Sequence, residues 1–225
     1  MGIEQSSIRN ELLAGMSPAD FALLAPDLVP VDLTRRSLLS SPDQKITHCW
    51  FLEDGIASMV ATSRDGQETE AGIVGREGMI DIATVLGSQT TSLRSFIQIS
   101  GRGLRVPART VSAAYAASET VRSALNLFAF RLLCQIAETA LANASYSVER
   151  RLARWLLMCA DRLGHNEICL THEFLAIMLN VRRAGVTVAI QSLVSAGFLE
   201  PSRGSVKIVN RKGLESFAKD AYTAL

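Results

Sequence analysis

Leu170-Thr-His-Glu-Phe-Leu-Ala-Ile-Met-Leu-Asn-Val-Arg-Arg-Ala-Gly-Val-Thr-Val-Ala-Ile-Gln-Ser-Leu-Val-Ser-Ala-Gly-Phe-Leu-Glu200 decides how the rest of the chain is read. Thr171 is a good helix cap, Glu173 sits favourably in the first turn, and Phe174, Leu175, Met178 and Leu179 follow at helical spacing. A helix of about two turns fits. Asn180 interrupts the periodicity, and Asn tolerates the left-handed backbone that turns a chain after a helix. A second helix follows with Val186, Ala189, Ile190 and Leu193 as its apolar stripe, while Arg182, Arg183, Ala184, Thr187, Val188 and Gln191 fall on or near the other side. Ala176 is small where the two helices must cross. The pattern predicts a helix-turn-helix whose second helix would lie in a DNA major groove, its first residues nearest the bases.

Downstream, Gly197 ends the helical pattern. Phe198 to Glu200 leads through Pro201-Ser-Arg-Gly204 into the alternating Ser205-Val-Lys-Ile-Val209, which predicts a hairpin, or wing. Asn210 is placed to cap a closing helix over about 211–221, with Leu214 and Phe217 packing back on the small domain. Upstream, Ser145 to Ser147 reads as a hinge and 148–160 as an amphipathic helix. Its Leu152, Trp155, Leu156 and Cys159 point inward, and Arg150, Arg151 and Arg154 point to solvent or phosphate.

At 225 residues the chain can bury a substantial core and is long enough for two domains. Neither signal-peptide features nor a membrane-spanning apolar run is read in it, so the expected location is the cytoplasm, with no membrane partner. Net charge is +1, but residues 1–144 carry 12 Lys/Arg against 15 Asp/Glu, whereas 145–225 carry 11 against 7. The basic part coincides with the helix-turn-helix, which supports nucleic-acid binding there. Cys49, Cys134, Cys159 and Cys169 are scattered in apolar company and read as reduced core thiols. Without a Cys-x-x-Cys or an acidic-glycine loop, no metal site is expected. His48 beside Cys49 could ligate haem, yet two residues on a half-buried strand is the simpler reading.

Near the start, Ile8 to Leu24 predicts two short helices, the second capped by Ser17 with Pro18 at its first position. Leu12, Leu13, Phe21, Leu23 and Leu24 read as packing residues. From Val31 to Pro107 short apolar runs alternate with glycine turns, the pattern of a β-sandwich or barrel able to hold a small ligand. The clearest strands are 46–52, 56–62, 69–74, 92–99 and 104–106. A short helix over 111–115 precedes one long helix over 119–143. There Val121, Leu125, Phe128 and Leu132 recur at spacings of four, three and four, and Leu133, Ile136, Ala140 and Leu141 extend the apolar surface. A helix this long and apolar predicts a parallel pair in a homodimer, with Val121, Leu125, Phe128, Leu132 and Ile136 on the seam. Burial within one chain is the competing reading.

This order of elements resembles the Crp/Fnr family of bacterial transcription regulators, over nearly the whole chain. The segment 170–199 aligns with the family's helix-turn-helix without gaps, with Thr171, Ala176, Asn180, Arg183 and Val186 at family positions. The resemblance implies an α+β chain in three parts. Residues 1–118 would form a cyclic-nucleotide-binding-like β-roll (jelly roll) with N-terminal helices, 119–146 a dimerisation helix and hinge, and 147–225 a winged helix-turn-helix. It also implies double-stranded DNA as partner, RNA polymerase as a further one, and base reading by an Arg-Glu pair and a later Arg. Here Arg183 keeps the first, Ala184 replaces the Glu and Val188 replaces the second Arg, so the operator should differ from that of the cyclic AMP receptor protein. Arg182, Thr187 and Gln191 are further contacts, and Arg203 and Lys207 would touch phosphates from the wing. In the β-roll, family members that bind cyclic nucleotides use a Gly-Glu-Leu turn and an Arg-Ser-Ala. This chain has Gly78-Met79-Ile80-Asp81 and Arg94-Ser95-Phe96. The candidate pocket is therefore Gly78, Met79, Asp81, Arg94 and Ser95, without the ribose-binding Glu. Cyclic AMP is not the expected ligand, no cofactor is expected, and the sensed signal is open.

An enzyme is the contrasting class. The chain has no Gly-x-Ser-x-Gly, phosphate loop, dinucleotide fingerprint or His-Glu-x-x-His, and His48, His165 and His172 sit in separate elements. A protein-interaction module that keeps the fold without specific DNA binding is the alternative, favoured by Ala184 and Val188 and opposed by Arg182-Arg183.

Overall fold

Two compact units make up the protein, Met1–Ala61 with Gly72–Gln135 and Thr62–Ala71 with Ile136–Leu225; the computed structural model describes residues 3–223. In the glycine-punctuated segment, eight strands form among the described residues: β1 (Val29–Leu33), β2 (Leu38–Ser40), β3 (His48–Leu52), β4 (Ile56–Thr62), β5 (Glu68–Val74), β6 (Met79–Ile80), β7 (Leu93–Ile99) and β8 (Gly101–Pro107). They build two four-stranded sheets, β1-β8-β3-β6 and β2-β7-β4-β5. The β1–β8, β3–β8, β3–β6, β2–β7 and β4–β7 pairs are all antiparallel. Two sheets in this order are a jelly roll, as expected. Phe51, Leu52, Ile56, Ile73, Met79, Ile80 and Ile97 are fully buried in it, each contributing roughly 1.5–3 kcal/mol relative to exposure.

Short helices close one side of the roll. Asn10 accepts from Leu13 N to cap α1 (Glu11–Ala14), and Ser17 caps α2 (Pro18–Ala22) with Pro18 at its start. The Asn10 side chain is fully buried and donates to the carbonyls of Leu52 (3.0 Å) and Gly78 (2.8 Å), so one amide joins α1 to two loops of the roll. Helix α3 (Ala108–Ala117) then leads into α4 (Glu119–Ser145). Hydroxyls of Ser118 and Thr120 donate to the Asp20 carboxylate at 2.5 and 2.6 Å and fix where α4 begins. These bonds, with that from Ser17, hold the Asp20 carboxyl below the usual range.

The expected seam of α4 falls on the wrong side. Val121, Leu125, Phe128 and Leu132 are at most 6% exposed and pack within their own unit. The exposed apolar residues are Leu127, Phe130, Leu133 and Leu141, at 50–61%. At 100° per residue the two sets lie on opposite sides of the helix. Ile136, named with the seam, is half-buried. Contrary to the sequence reading, α4 is long and apolar enough to cross a membrane by length and composition, although one face is occupied by the core of its own unit.

In the second unit, Ser147 caps α5 (Val148–Leu163) by accepting from Arg150 N. Leu152, Trp155, Leu156 and Cys159 are buried, and Trp155 Nε1 donates to Glu70 at 3.0 Å. Two of the arginines expected at solvent do not reach it fully. Arg154 is 6% exposed and lies 3.7 Å from Glu138, and half-buried Arg151 donates to the Leu179 carbonyl at 2.8 Å. Their long stems pass along apolar surface while the heads find acceptors inside. Cys49 and Cys159 are buried and Cys134 is half-buried, but Cys169 is exposed rather than in the core; all four are free. Burial pushes the Cys49 thiol up to about 12, so it is no ready thiolate ligand.

Candidate nucleic-acid interface

After β9 (Glu167–Cys169), the Thr171 hydroxyl accepts from Phe174 N and starts α6 (His172–Met178). Phe174, Leu175, Met178 and Leu179 are buried. Asn180 takes φ 47°, the left-handed conformation that a turn here requires. Helix α7 (Arg183–Ser195) then buries Val186, Ala189, Ile190 and Leu193. Arg183, Ala184, Val188 and Gln191 are exposed along its other side, with Thr187 half-buried among them and exposed Arg182 just before its first turn. Val188 is 59% exposed, so this strip mixes charge, amide and bare methyl groups.

The wing has the expected form. Strand β10 (Leu199–Ser202) pairs with β11 (Ser205–Ile208), and β11 with β9, in one three-stranded sheet. Ser202 faces Ser205 across the turn Arg203-Gly204, where Gly204 has φ 81°, a value that Gly adopts freely. Arg203 and Lys207 are exposed. Asn210 caps α8 (Arg211–Ala218) by accepting from Gly213 N, and Phe217 meets Phe198 with ring centroids 5.6 Å apart. An Asp161 carboxylate that accepts from Arg211 (2.5 Å) and Tyr222 (2.6 Å) ties this end to α5. The structure thus gathers Arg182, Arg183, Ala184, Thr187, Val188 and Gln191 on one strip and Arg203 and Lys207 on the wing. Thr171 instead serves as a helix cap.

Two residues matter here in roles that the sequence reading did not give them. His172 Nδ1 lies 3.1 Å from Thr187 Oγ1, tying the first turn of α6 to the exposed strip of α7. Arg151 holds the last carbonyl before the Asn180 turn. The signal for His172 is its place beside the Thr171 cap, since the first turn of the first helix faces the second helix. Nothing in the spacing of Arg151 gives its partner.

The five candidate pocket residues in the β-roll are scattered. Gly78 is seated against the Phe128 ring, which a Cβ there would overlap. Met79 is fully buried in the core. On β7 Arg94 and Ser95 alternate in direction. The Arg94 guanidinium lies 4.8 Å over the Phe96 ring, and Ser95 is 2% exposed. Asp81 lines a small cavity that includes none of the other four. Burial raises its carboxyl to about 6. Among the described residues no group of three or more His, Cys, Asp or Glu could hold a metal.

Residues 150–217 match the model of the Crp-like helix-turn-helix domain. No curated protein matches the chain by sequence. Solved structures similar to it include a Crp/Fnr-family protein from Eubacterium rectale (TM-score 0.71, 19% identity, 92% of this chain and 97% of that one). FixK2 from Bradyrhizobium japonicum is similar at TM-score 0.74 and 14% identity, over 88% of this chain and 98% of its own. TTHB099, a CRP-family transcriptional regulator from Thermus thermophilus, is similar at TM-score 0.71 and 16% identity, over 87% of this chain and 100% of its own. The chain therefore has the fold of Crp/Fnr transcription regulators and carries a Crp-like helix-turn-helix domain at residues 150–217.

Proposed function

We propose that the protein is a cytoplasmic, sequence-specific DNA-binding transcription regulator that acts as a homodimer on an inverted-repeat operator, with its β-roll receiving the signal. The observation that carries this reading is the exposed strip of α7, Arg183, Ala184, Thr187, Val188 and Gln191, on a Crp-like helix-turn-helix. Arg183 stands at the start of α7, and a guanidinium there can bond both acceptors of a guanine edge. Arg203 and Lys207 hold phosphates, which supplies affinity without sequence preference. The second copy lies along the exposed α4 face of Leu127, Phe130, Leu133 and Leu141, and a two-fold dimer of this kind reads half-sites about one DNA turn, roughly 34 Å, apart. The division of labour is a receiving part over 1–118, a dimer helix over 119–146 and a DNA-binding part over 147–225, with RNA polymerase as a further partner. Cyclic AMP is not the signal, because Met79, buried in the core, offers no acceptor for ribose hydroxyls.

Selection of bound DNA from a random pool, followed by titrations at several salt concentrations, tests this reading. Arg183→Ala should cost about 1–3 kcal/mol on the selected site and relax preference at one base pair per half-site. Arg203→Ala should weaken binding to all sequences and lower the salt slope by about one. A pool with no enriched sequence would favour a protein-interaction module, which the bare Ala184 and Val188 would suit.

A further inference from the structure

One pocket of the β-roll is built for a ligand that nothing above assigns. It has a volume of about 120 Å³ and is lined by Ser40, Lys45, His48, Trp50 and Asp81, together with other residues of the 39–47 segment. The Trp50 indole N–H is buried and has no acceptor, and the buried Ser40 hydroxyl stands beside the Asp81 carboxyl, whose charged form it favours. A buried donor left empty costs free energy, and native structures keep few of them. Asp81 is 8% exposed and adopts φ 72°, a left-handed conformation uncommon for a residue with a side chain. Strained backbone, an orphan indole donor and a buried acid at one small pocket together mark a binding site rather than a packing fault.

The fold brings these groups together from both sheets. Trp50 on β3 is opposite Ile80, the residue before Asp81, while Ser40 on β2 is opposite Ser95 of the other sheet. The Trp50 ring is steadied by Arg105, 5.8 Å from its centroid, and by His48, at 6.4 Å. Size bounds the ligand, since a cavity of about 150 Å³ holds benzene and this one therefore takes about five non-hydrogen atoms. Charge bounds it further. An acid and a lysine line the same pocket, and the unused indole N–H asks for an acceptor while Asp81 asks for a donor.

We propose that this pocket binds a short α-amino acid, its ammonium on the Asp81 carboxylate and its carboxylate on the Trp50 indole N–H, the Ser40 hydroxyl and Lys45. Glycine has the right number of atoms and both charges. With so few atoms, the ligand-efficiency ceiling keeps the affinity in the micromolar to millimolar range. The site stands independently of the DNA-binding reading and uses none of its residues.

The full chain, labelled with nitrogen-15, carries two tryptophans and so two indole N–H resonances, which Trp50→Phe assigns. Glycine should shift the Trp50 resonance saturably and leave that of Trp155 in place. Acetate and methylammonium, each half of the ligand, should bind at least about tenfold more weakly. Asp81→Asn keeps a residue that tolerates the left-handed conformation and should weaken glycine by about tenfold or more. Ser40→Ala removes a hydroxyl that favours the charged Asp81 and donates to the ligand, and should weaken glycine less than Asp81→Asn does. Three results would overturn the proposal: no saturable shift with glycine or alanine, acetate equal to glycine, or Asp81→Asn without effect. The first would mean that the pocket holds water only, the second that it is a plain carboxylate site, and the third that the ammonium is held elsewhere.

Discussion

Asp81→Asn also has a stability signature that can be worked out in advance. Burial raises the Asp81 carboxyl from 3.8 to about 6. A carboxyl whose folded value lies above its unfolded value contributes stability below the unfolded value, and that contribution is lost as pH rises through the folded one. At roughly 1.4 kcal/mol per pH unit, the wild type forgoes about 3 kcal/mol at pH 7 and above. Asn cannot ionise and forgoes nothing. The difference in unfolding free energy, variant minus wild type, should therefore grow by about 2 kcal/mol between pH 4 and pH 7, on top of whatever constant offset the amide brings. Urea unfolding across that range, without added ligand, measures it. The wild-type profile alone would mislead. His48 lines the same cavity, and its value is lowered by burial and by Arg105 and Arg109, so it loses stability as pH falls, in the opposite sense. His48 remains in the variant and cancels in the difference. A difference that does not change with pH would refute the account of Asp81 as a buried carboxylate.

Two further outcomes follow from packing. Gly78→Ala should cost about 1–3 kcal/mol or more because a methyl there overlaps the Phe128 ring. Added to Phe128→Ala it should cost almost nothing, a non-additivity that a double-mutant unfolding cycle reads and that simple additivity would disprove. Phe130→Glu with Leu133→Glu should give a folded monomer by sedimentation, with weakened operator binding. Leu125→Glu should instead unfold the first unit, since it buries a charge. A wild-type protein that sediments as a monomer at micromolar concentration would remove the dimer.

Strands with long alternating or wholly apolar runs are legible in the sequence. The run 56–62 coincides with β4 to the residue, whereas β1, β2 and β6 have no counterpart among the expected strands. Pro30 breaks the pattern of β1, β2 has three residues, and β6 has two, too few to show a period. In α4 the apolar repeat is real but ambiguous, because Leu127, Phe130, Leu133 and Leu141 form a second apolar face opposite the first. Periodicity cannot say which of two such faces meets the chain's own core. Buried Arg154 is unreadable for another reason: its acceptor, Glu138, lies on a different helix, and the sequence does not pair side chains across elements. The helix-turn-helix strip is legible because capping, left-handed Asn180 and the spacing of the buried stripe are all local rules. The pocket at Asp81 is not, since Ser40, Trp50 and Asp81 are brought together by two sheets.

The tie between His172 and Thr187 restricts what Thr187 can say to a base. A threonine hydroxyl has one hydrogen and two lone pairs. That hydrogen goes either to the Arg183 carbonyl at 3.3 Å, four residues back along α7, or to His172 Nδ1 at 3.1 Å when the ring carries its own hydrogen on the other nitrogen. With its proton committed in either case, the oxygen has only lone pairs left. In a major groove such an oxygen is mute toward guanine O6, thymine O4 and the purine N7, all of which accept, and speaks only to the amino groups of adenine and cytosine. A histidine that touches no base thus halves the alphabet of the residue beside it.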